Sequence, residues 1–227
     1  GANQVHYRVV NNLGEISTDL PIELQSSPMI HDCAITKNYV LIFDLPVTFN
    51  TGRREGQENG SDYPVIWDDN YQPRVGLLNR NSFEVKWIDV PKCFLFHVVN
   101  SYEDDTGKVI LDFCRYEKLF DFNNPLPFGK KPYLTRWEID VSKGTCSEKI
   151  LDDRPMEFAR IHPKLEGKKH QFGYVLNDGQ LNNLFKYDFL NDTNEVHDLG
   201  DLRKGAEPVF IPKTVSYTHL TLPTTRL

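Results

Sequence analysis

The 227 residues carry 32 acidic and 26 basic side chains, a formal net charge of −6. That balance gives no reason to expect a nucleic-acid partner or an anionic membrane surface, and no apolar stretch approaches the roughly 20 residues that span a bilayer. Aromatics make up 12% of the chain; with Val, Ile, Tyr and Phe gathered in short runs, they point to an all-β protein large enough to bury a core.

In chain order, the pattern predicts strands over 39–45, 83–90, 93–100, 109–116, 133–140, 170–176, 184–189 and 208–212. Asp104-Asp-Thr-Gly-Lys108 reads as a hairpin turn, and so does Asn177-Asp-Gly179. The polar stretch 50–62 reads as a solvated loop. No segment keeps helical apolar spacing over three turns, so long helices are not expected. Cys33, Cys93, Cys114 and Cys146 form no CxxC pair. That spacing argues against a zinc ribbon and fits reduced thiols in a cytoplasmic protein. Asn59 and Asn191 open glycosylation sequons by pattern only.

An internal repeat is visible. Leu134-Thr-Arg-Trp-Glu-Ile-Asp140 aligns with Leu184-Phe-Lys-Tyr-Asp-Phe-Leu190, and the same shift places Glu157 on Glu207, Arg154 on Lys204 and Ile161 on Ile211. Lys86-Trp87-Ile88-Asp89 reads as an earlier echo at a similar offset. Antiparallel strands recurring every ~40–50 residues are the signature of propeller blades. The innermost strand of each blade lines the central axis, so one residue per blade can converge there.

Two histidines lie inside apolar, strand-like runs: His31 in Ser-Pro-Met-Ile-His-Asp-Cys-Ala-Ile-Thr and His97 in Cys-Phe-Leu-Phe-His-Val-Val-Asn. An imidazole among apolar neighbours needs a partner for each ring nitrogen, and a metal ion is one such partner. Glu157 and Glu207, at matching places in the repeat, are candidates to hold imidazoles from behind. Taken singly, each histidine reads as a hydrogen-bonded core residue and Glu157 as an ion-pair partner of Arg154 or Arg160. Asp32, Asn100 and Glu103 read as braces for the inner strands. His6, His162, His170 and His197 read as surface residues.

The motifs together resemble one family. Met29-Ile-His31-Asp-Cys-Ala-Ile-Thr36, Phe96-His97-Val-Val-Asn100-Ser-Tyr102-Glu103, Asp152-Asp-Arg-Pro-Met-Glu157-Phe-Ala-Arg160-Ile161 and Glu207-Pro-Val-Phe-Ile-Pro212 are similar, in order, to four segments of the carotenoid cleavage oxygenases. The resemblance implies an all-β fold: a partial seven-bladed β-propeller of about three to four blades over residues 1–213. It implies that His31 and His97 are two of four histidines binding one Fe(II). Glu157 would accept the outer ring N–H of His97, and Glu207 would serve a histidine outside this chain. The implied activity is that of a dioxygenase, in which O2 cleaves a C=C bond of a carotenoid- or apocarotenoid-like polyene to give carbonyl products. A stilbene-type phenolic alkene is the alternative substrate. Peripheral membrane contact of the intact protein is left open.

By the same resemblance the chain is a middle fragment, inactive alone, whose exposed sheet edges invite aggregation. The Thr-rich stretch 214–227 departs from the family's pattern and is expected to be a non-native tail, so His219 within it is not offered as a ligand. Two other classes compete: a non-catalytic propeller that binds partners, and a calcium-dependent hydrolase, which would need oxygen ligands on its axis.

Overall fold

The computed structural model describes residues 3–50, 63–121, 129 and 131–212. Most of the polar stretch at 50–62, Asn59 within it, and the stretch 214–227 with His219 lie outside the described residues. Fifteen strands run in chain order: β1 (Gln4–Val10), β2 (Ile16–Glu23), β3 (Ala34–Ile35), β4 (Tyr39–Asp44), β5 (Val47–Phe49), β6 (Val65–Trp67), β7 (Arg74–Asn79), β8 (Val85–Asp89), β9 (Phe94–Glu103), β10 (Val109–Tyr116), β11 (Tyr133–Asp140), β12 (Thr145–Arg160), β13 (Phe172–Asn177), β14 (Asn183–Asp188) and β15 (Thr193–Asp198). The one helical element among the described residues is a 3-10 turn at Pro163–Leu165.

All pairings are antiparallel. β3-β4-β7-β8 form one four-stranded sheet, and β9 to β15 form a continuous run of seven strands. The sixteen-residue β12 explains that run. Its first part, Thr145 to Pro155, pairs with β11, whereas Met156 to Arg160 pair with β13. β12 is therefore the outer strand of one four-stranded blade and the inner strand of the next. Three blades follow one another in this way, each inner strand entering from its predecessor's rim, and the sheets do not close into a ring. A two-stranded hairpin, β1-β2, packs outside the first blade, and β5-β6 form a separate ribbon.

The predicted strands 109–116 and 133–140 coincide with β10 and β11, and most of the others shift by a few residues at their ends. The repeat 134–140/184–190 falls on β11 and β14, the third strand of consecutive blades. The echo at 86–89 is corrected: it lies in β8, the fourth strand of its blade. Lys, Trp and Ile suit any half-buried strand, so composition alone could not place it. The strand predicted over 208–212 does not form. Pro208 and Pro212 have no N–H to donate, and no strand among the described residues pairs with the segment.

Apolar side chains fill the gaps between blades. Leu41, Val75, Leu77 and Ile88 of the first blade meet Leu95, Leu111, Phe113, Trp137 and Ile139 of the second. Trp137 is fully buried, stands edge-on to Phe113 at 4.7 Å, and donates its indole N–H to Glu148 at 2.8 Å. Between the second and third blades, Val99, Cys114 and Leu134 pack on Met156, Ala159, Val175 and Phe185.

Polar contacts then fix how the inner strands sit. The carboxylate of Glu103, at the end of β9, accepts from Thr36 Oγ1 at 2.6 Å, Asn38 N at 2.8 Å and Asn38 Nδ2 at 2.6 Å. Asp32 Oδ2 accepts the Val98 N–H at 2.9 Å, and Ser101 Oγ donates to the Ile35 carbonyl at 2.7 Å. Asn100 accepts from Gly167 N and donates to the carbonyls of Leu165 and Lys168. Asp32, Asn100 and Glu103 brace the inner strands, as their positions in the sequence suggest.

Burial raises the Glu103 pKa, but the donors from Thr36 and Asn38 outweigh it and hold the group below its ordinary 4.5. A carboxylate depressed in the fold stabilises fully above the unfolded value and loses that contribution as pH falls toward the folded one. Glu103→Ala is expected to lower unfolding stability by about 1–3 kcal/mol at neutral pH, with the deficit shrinking below about pH 4.5. Denaturant unfolding of both proteins across that range measures it; a deficit independent of pH contradicts the assignment.

Candidate metal centre

His97 sits in β9 within one of two irregularities of pairing that flank Val98. Asn100 faces Asp112, Val98 faces Phe113 and Leu95 faces Arg115, so β9 carries an extra residue on each side of Val98. Such bulges re-aim side chains, and here a polar imidazole turns inward within a run of buried residues. Its Nδ1 lies 2.5 Å from Glu157 Oε2 and its Nε2 3.1 Å from Glu207 Oε1. Burial pushes the imidazole pKa down, but the Glu157 and Glu207 carboxylates overcome it and hold the value above that of an ordinary histidine.

His31 differs from its expectation. It lies in an irregular segment ahead of β3, not in a strand, and it is exposed. Met29 N donates to the Val47 carbonyl, so the approach to His31 is tied to β5 instead of to a blade ladder. The ring is nevertheless placed: Nδ1 is 2.9 Å from the Phe96 carbonyl, and the ring stands edge-on to His97 with centroids 5.2 Å apart. The inner edges of two successive blades thus bring the two candidate imidazoles together.

The two glutamates are not equivalent. Glu157 is buried, whereas the Glu207 side chain is 44% exposed in the irregular segment after β15. Glu207, expected to serve a histidine outside this chain, lies against His97 itself, and its other oxygen takes an ion pair from Arg160. The Arg160 guanidinium depresses the Glu207 pKa despite the opposing effect of burial. Glu157 pairs with neither Arg154 nor Arg160: Arg154 clasps Asp152, and Arg160 takes Glu207. Its Oε2 also accepts the Phe158 N–H at 2.6 Å, and its Oε1 is buried with no hydrogen-bond partner among the described residues. Burial and the nearby Glu157 carboxylate push the hydroxyl of Tyr116 far up, so it remains protonated.

Aromatic rings surround the pair. Phe96 stands edge-on to His31 at 5.0 Å and to Tyr116 at 5.4 Å, and it meets Phe94 and Phe120. Phe158 lies 5.3 Å from His97. Sequence reasoning did not single out Phe96 and Phe158 for a role of their own. Phe158 left no signal in the pattern, because a strand covered on both faces has no apolar-polar alternation to break.

Does this arrangement fit a metal ion? With Nδ1 of each ring engaged by a carbonyl or a carboxylate, Nε2 is the nitrogen a metal would take; on His31 that atom has no partner among the described hydrogen bonds, whereas on His97 it faces Glu207 Oε1 at 3.1 Å, a contact a metal would have to displace. Two imidazoles at this separation supply part of a donor set. Among the described residues no group of three or more His, Cys, Asp or Glu is placed to hold an ion. The two imidazoles therefore fit a nitrogen-liganded metal in type.

His170 is corrected. It is 8% exposed and not on the surface; Asn100 Nδ2 donates to its Nδ1 at 3.0 Å, and the rings of Tyr102 and Phe189 stand edge-on to it. Lys168 and Lys169 are exposed, so the flanking charge misled; the chain dives inward after them toward β13. His162 is half-buried, accepts from Lys164 N and stacks on Phe210. His6 and His197 are exposed, as expected.

Burial drives the His170 pKa below its ordinary 6.5. A histidine kept neutral by the fold stabilises fully above the unfolded value and loses that contribution as pH falls through it. Ring-nitrogen NMR of the folded protein is expected to give His170 a midpoint below 6.5; a midpoint at or above that value contradicts its burial as a neutral acceptor.

Comparison with known proteins places this geometry in context. The sequence model of the family described as "Retinal pigment epithelial membrane protein" matches residues 1–217. A "Carotenoid cleavage oxygenase" of Mycobacterium tuberculosis is 30% identical over 215 residues, covering 77% of this chain and 43% of the relative. The "Carotenoid 9,10(9',10')-cleavage dioxygenase 1" of Pisum sativum is 26% identical, covering 93% and 43%. An "Isoeugenol monooxygenase" of Pseudomonas putida is 25% identical, covering 92% and 48%. The crystal structure of cobalt-substituted Synechocystis ACO superposes with a TM-score of 0.80 at 24% identity, over 92% of this chain and 46% of that one. The chain therefore spans a little under half the length of these relatives, and its fold is that of part of a seven-bladed propeller.

Proposed function

This chain belongs to the carotenoid cleavage oxygenase family, and from that membership we propose that the intact protein is a non-haem Fe(II) dioxygenase. It uses O2 to split a C=C bond of a carotenoid- or apocarotenoid-like polyene into two carbonyl products. The observation that carries this reading is the pair His31 and His97, 5.2 Å apart between centroids, each with its Nδ1 engaged from behind; a metal would take both Nε2 atoms, displacing the Glu207 carboxylate from that of His97. Nitrogen-ligated iron with open positions supplies O2 activation when bound.

The chain's own residues do the rest. Glu157 fixes the tautomer and orientation of His97 and offsets buried positive charge without itself ligating. The Phe96 carbonyl orients His31. The rings of Phe96, Phe120 and Phe158, backed by the buried Phe94, exclude water and form an apolar wall along which a flat polyene lies. Binding energy from that wall positions one double bond near the centre. None of these side chains is placed as a general acid or base. Tyr116 is held neutral, and Glu157 holds His97 and the Phe158 N–H through one oxygen while its other oxygen is buried.

A phenolic alkene is the second reading, favoured by the relative named isoeugenol monooxygenase. Incubating the iron-loaded intact protein with an apocarotenal and with a hydroxystilbene under ¹⁸O2 separates the two. Labelled aldehydes from the apocarotenal support the first reading, labelled aldehydes from the stilbene support the second, and no cleavage of either contradicts both. Glu157→Gln is expected to weaken iron retention by roughly 10- to 100-fold. Equilibrium dialysis measures it, and unchanged affinity contradicts the role given to Glu157.

A further inference from the structure

β12 breaks the two-residue repeat of a strand where it turns from one blade to the next. Met156 and Glu157 are consecutive and both buried: Met156 packs between the sheets, and Glu157 faces His97. They pair regularly with Asn177 and Leu176 and so take opposite faces of the strand, both covered; the register breaks just after Glu157. Glu157 pairs with Leu176 and Arg160 with Tyr174, three residues of β12 spanning what two residues of β13 span. Within this bulge Phe158 has φ 57°, in the left-handed region. Glycine is the residue that usually takes such a bulge position, and a bulky side chain there is strained.

That conformation has a specific product. The Phe158 N–H donates to Glu157 Oε2 at 2.6 Å, the same oxygen that faces His97 Nδ1 at 2.5 Å. One carboxylate oxygen is thus held from behind by the bulge's own backbone while it holds the imidazole in front. We propose that Phe158 is a positioning residue whose left-handed backbone aims the Glu157 carboxylate at His97. The inference rests on the metal-centre reading above and adds to it the device that sets the carboxylate's direction. The strain is retained because the surrounding ladder and the ring's contact with His97 over-determine the conformation.

The backbone claim separates from a packing role by choice of substitution. Glycine adopts a positive φ freely and removes the ring, whereas a β-branched residue keeps bulk but resists that φ. The test is titration of the metal-free intact protein with Co(II), following the visible absorption of the bound ion. Phe158→Gly is expected to stay within about 3-fold of the parent affinity, because glycine preserves the bulge. Phe158→Val is expected to weaken binding by roughly 10- to 100-fold, as Glu157→Gln does. The double variant Phe158→Val/Glu157→Gln is expected to bind no more weakly than Glu157→Gln alone, because the two act through one contact.

Three results overturn the inference: Phe158→Gly as weak as Glu157→Gln, Phe158→Val at parent affinity, or additive losses in the double variant. Should Phe158→Val fail to fold, the Phe158→Gly comparison decides alone. A parent protein that does not bind Co(II) defeats the metal-centre reading and this inference together. A parent that binds, with Phe158→Val unaffected, defeats only this one.

Discussion

A buried imidazole held by a buried carboxylate is the constraint around which the inner strands are arranged. His97 and Glu157 come from β9 and β12, sixty residues apart in sequence and on successive blades. Neither group is tolerable alone at that depth: an unpaired carboxylate or imidazolium away from water is expensive, and the pair is sustained only by good geometry. Geometry in turn demands departures from regular pleating on both strands. β9 is irregular on each side of Val98, and β12 carries its bulge at Phe158. Irregularities of the ladder thus lie beside both partners of this contact, although others occur in β1–β2 and β11–β12.

The frame supplies rigidity through two kinds of contact that act at different radii. Between blades, tightly buried apolar residues such as Trp137, Phe113 and Leu111 set the angle of one sheet against the next. Nearer the inner edges, Glu103, Asp32 and Asn100 tie loops of one blade to the strands of its neighbour. Burying Asp112 against the Arg136 guanidinium, with bonds of 2.7 and 2.8 Å, follows the same logic within one blade. The result is a site whose two histidines are positioned by hydrogen bonds to their Nδ1 atoms, with phenylalanine rings packed around them.

Much of this was legible in the sequence, for identifiable reasons. Strands such as 109–116 announced themselves because both faces are buried and the run is continuously apolar. The repeat located Glu157 because β11 and β14 occupy the same rung of consecutive blades. What stayed hidden depended on three-dimensional context. The role of β12 as rim of one blade and hub of the next leaves no compositional mark. The exposed charges of Lys168 and Lys169 disguised the burial of His170, and a polar, irregular path carries His31 where an apolar run suggested a strand. Glu207 matches Glu157 in sequence yet differs in burial, since equivalence in a repeat fixes position along the chain and not the neighbours found there.

The proposed centre requires that His31 and His97 share one metal ion. X-ray absorption at the metal edge of the loaded intact protein counts imidazole ligands directly from their scattering pattern. His31→Ala and His97→Ala are each expected to lose one imidazole from the shell or to lose the metal altogether. An unchanged imidazole count and metal content in both variants would contradict the shared site.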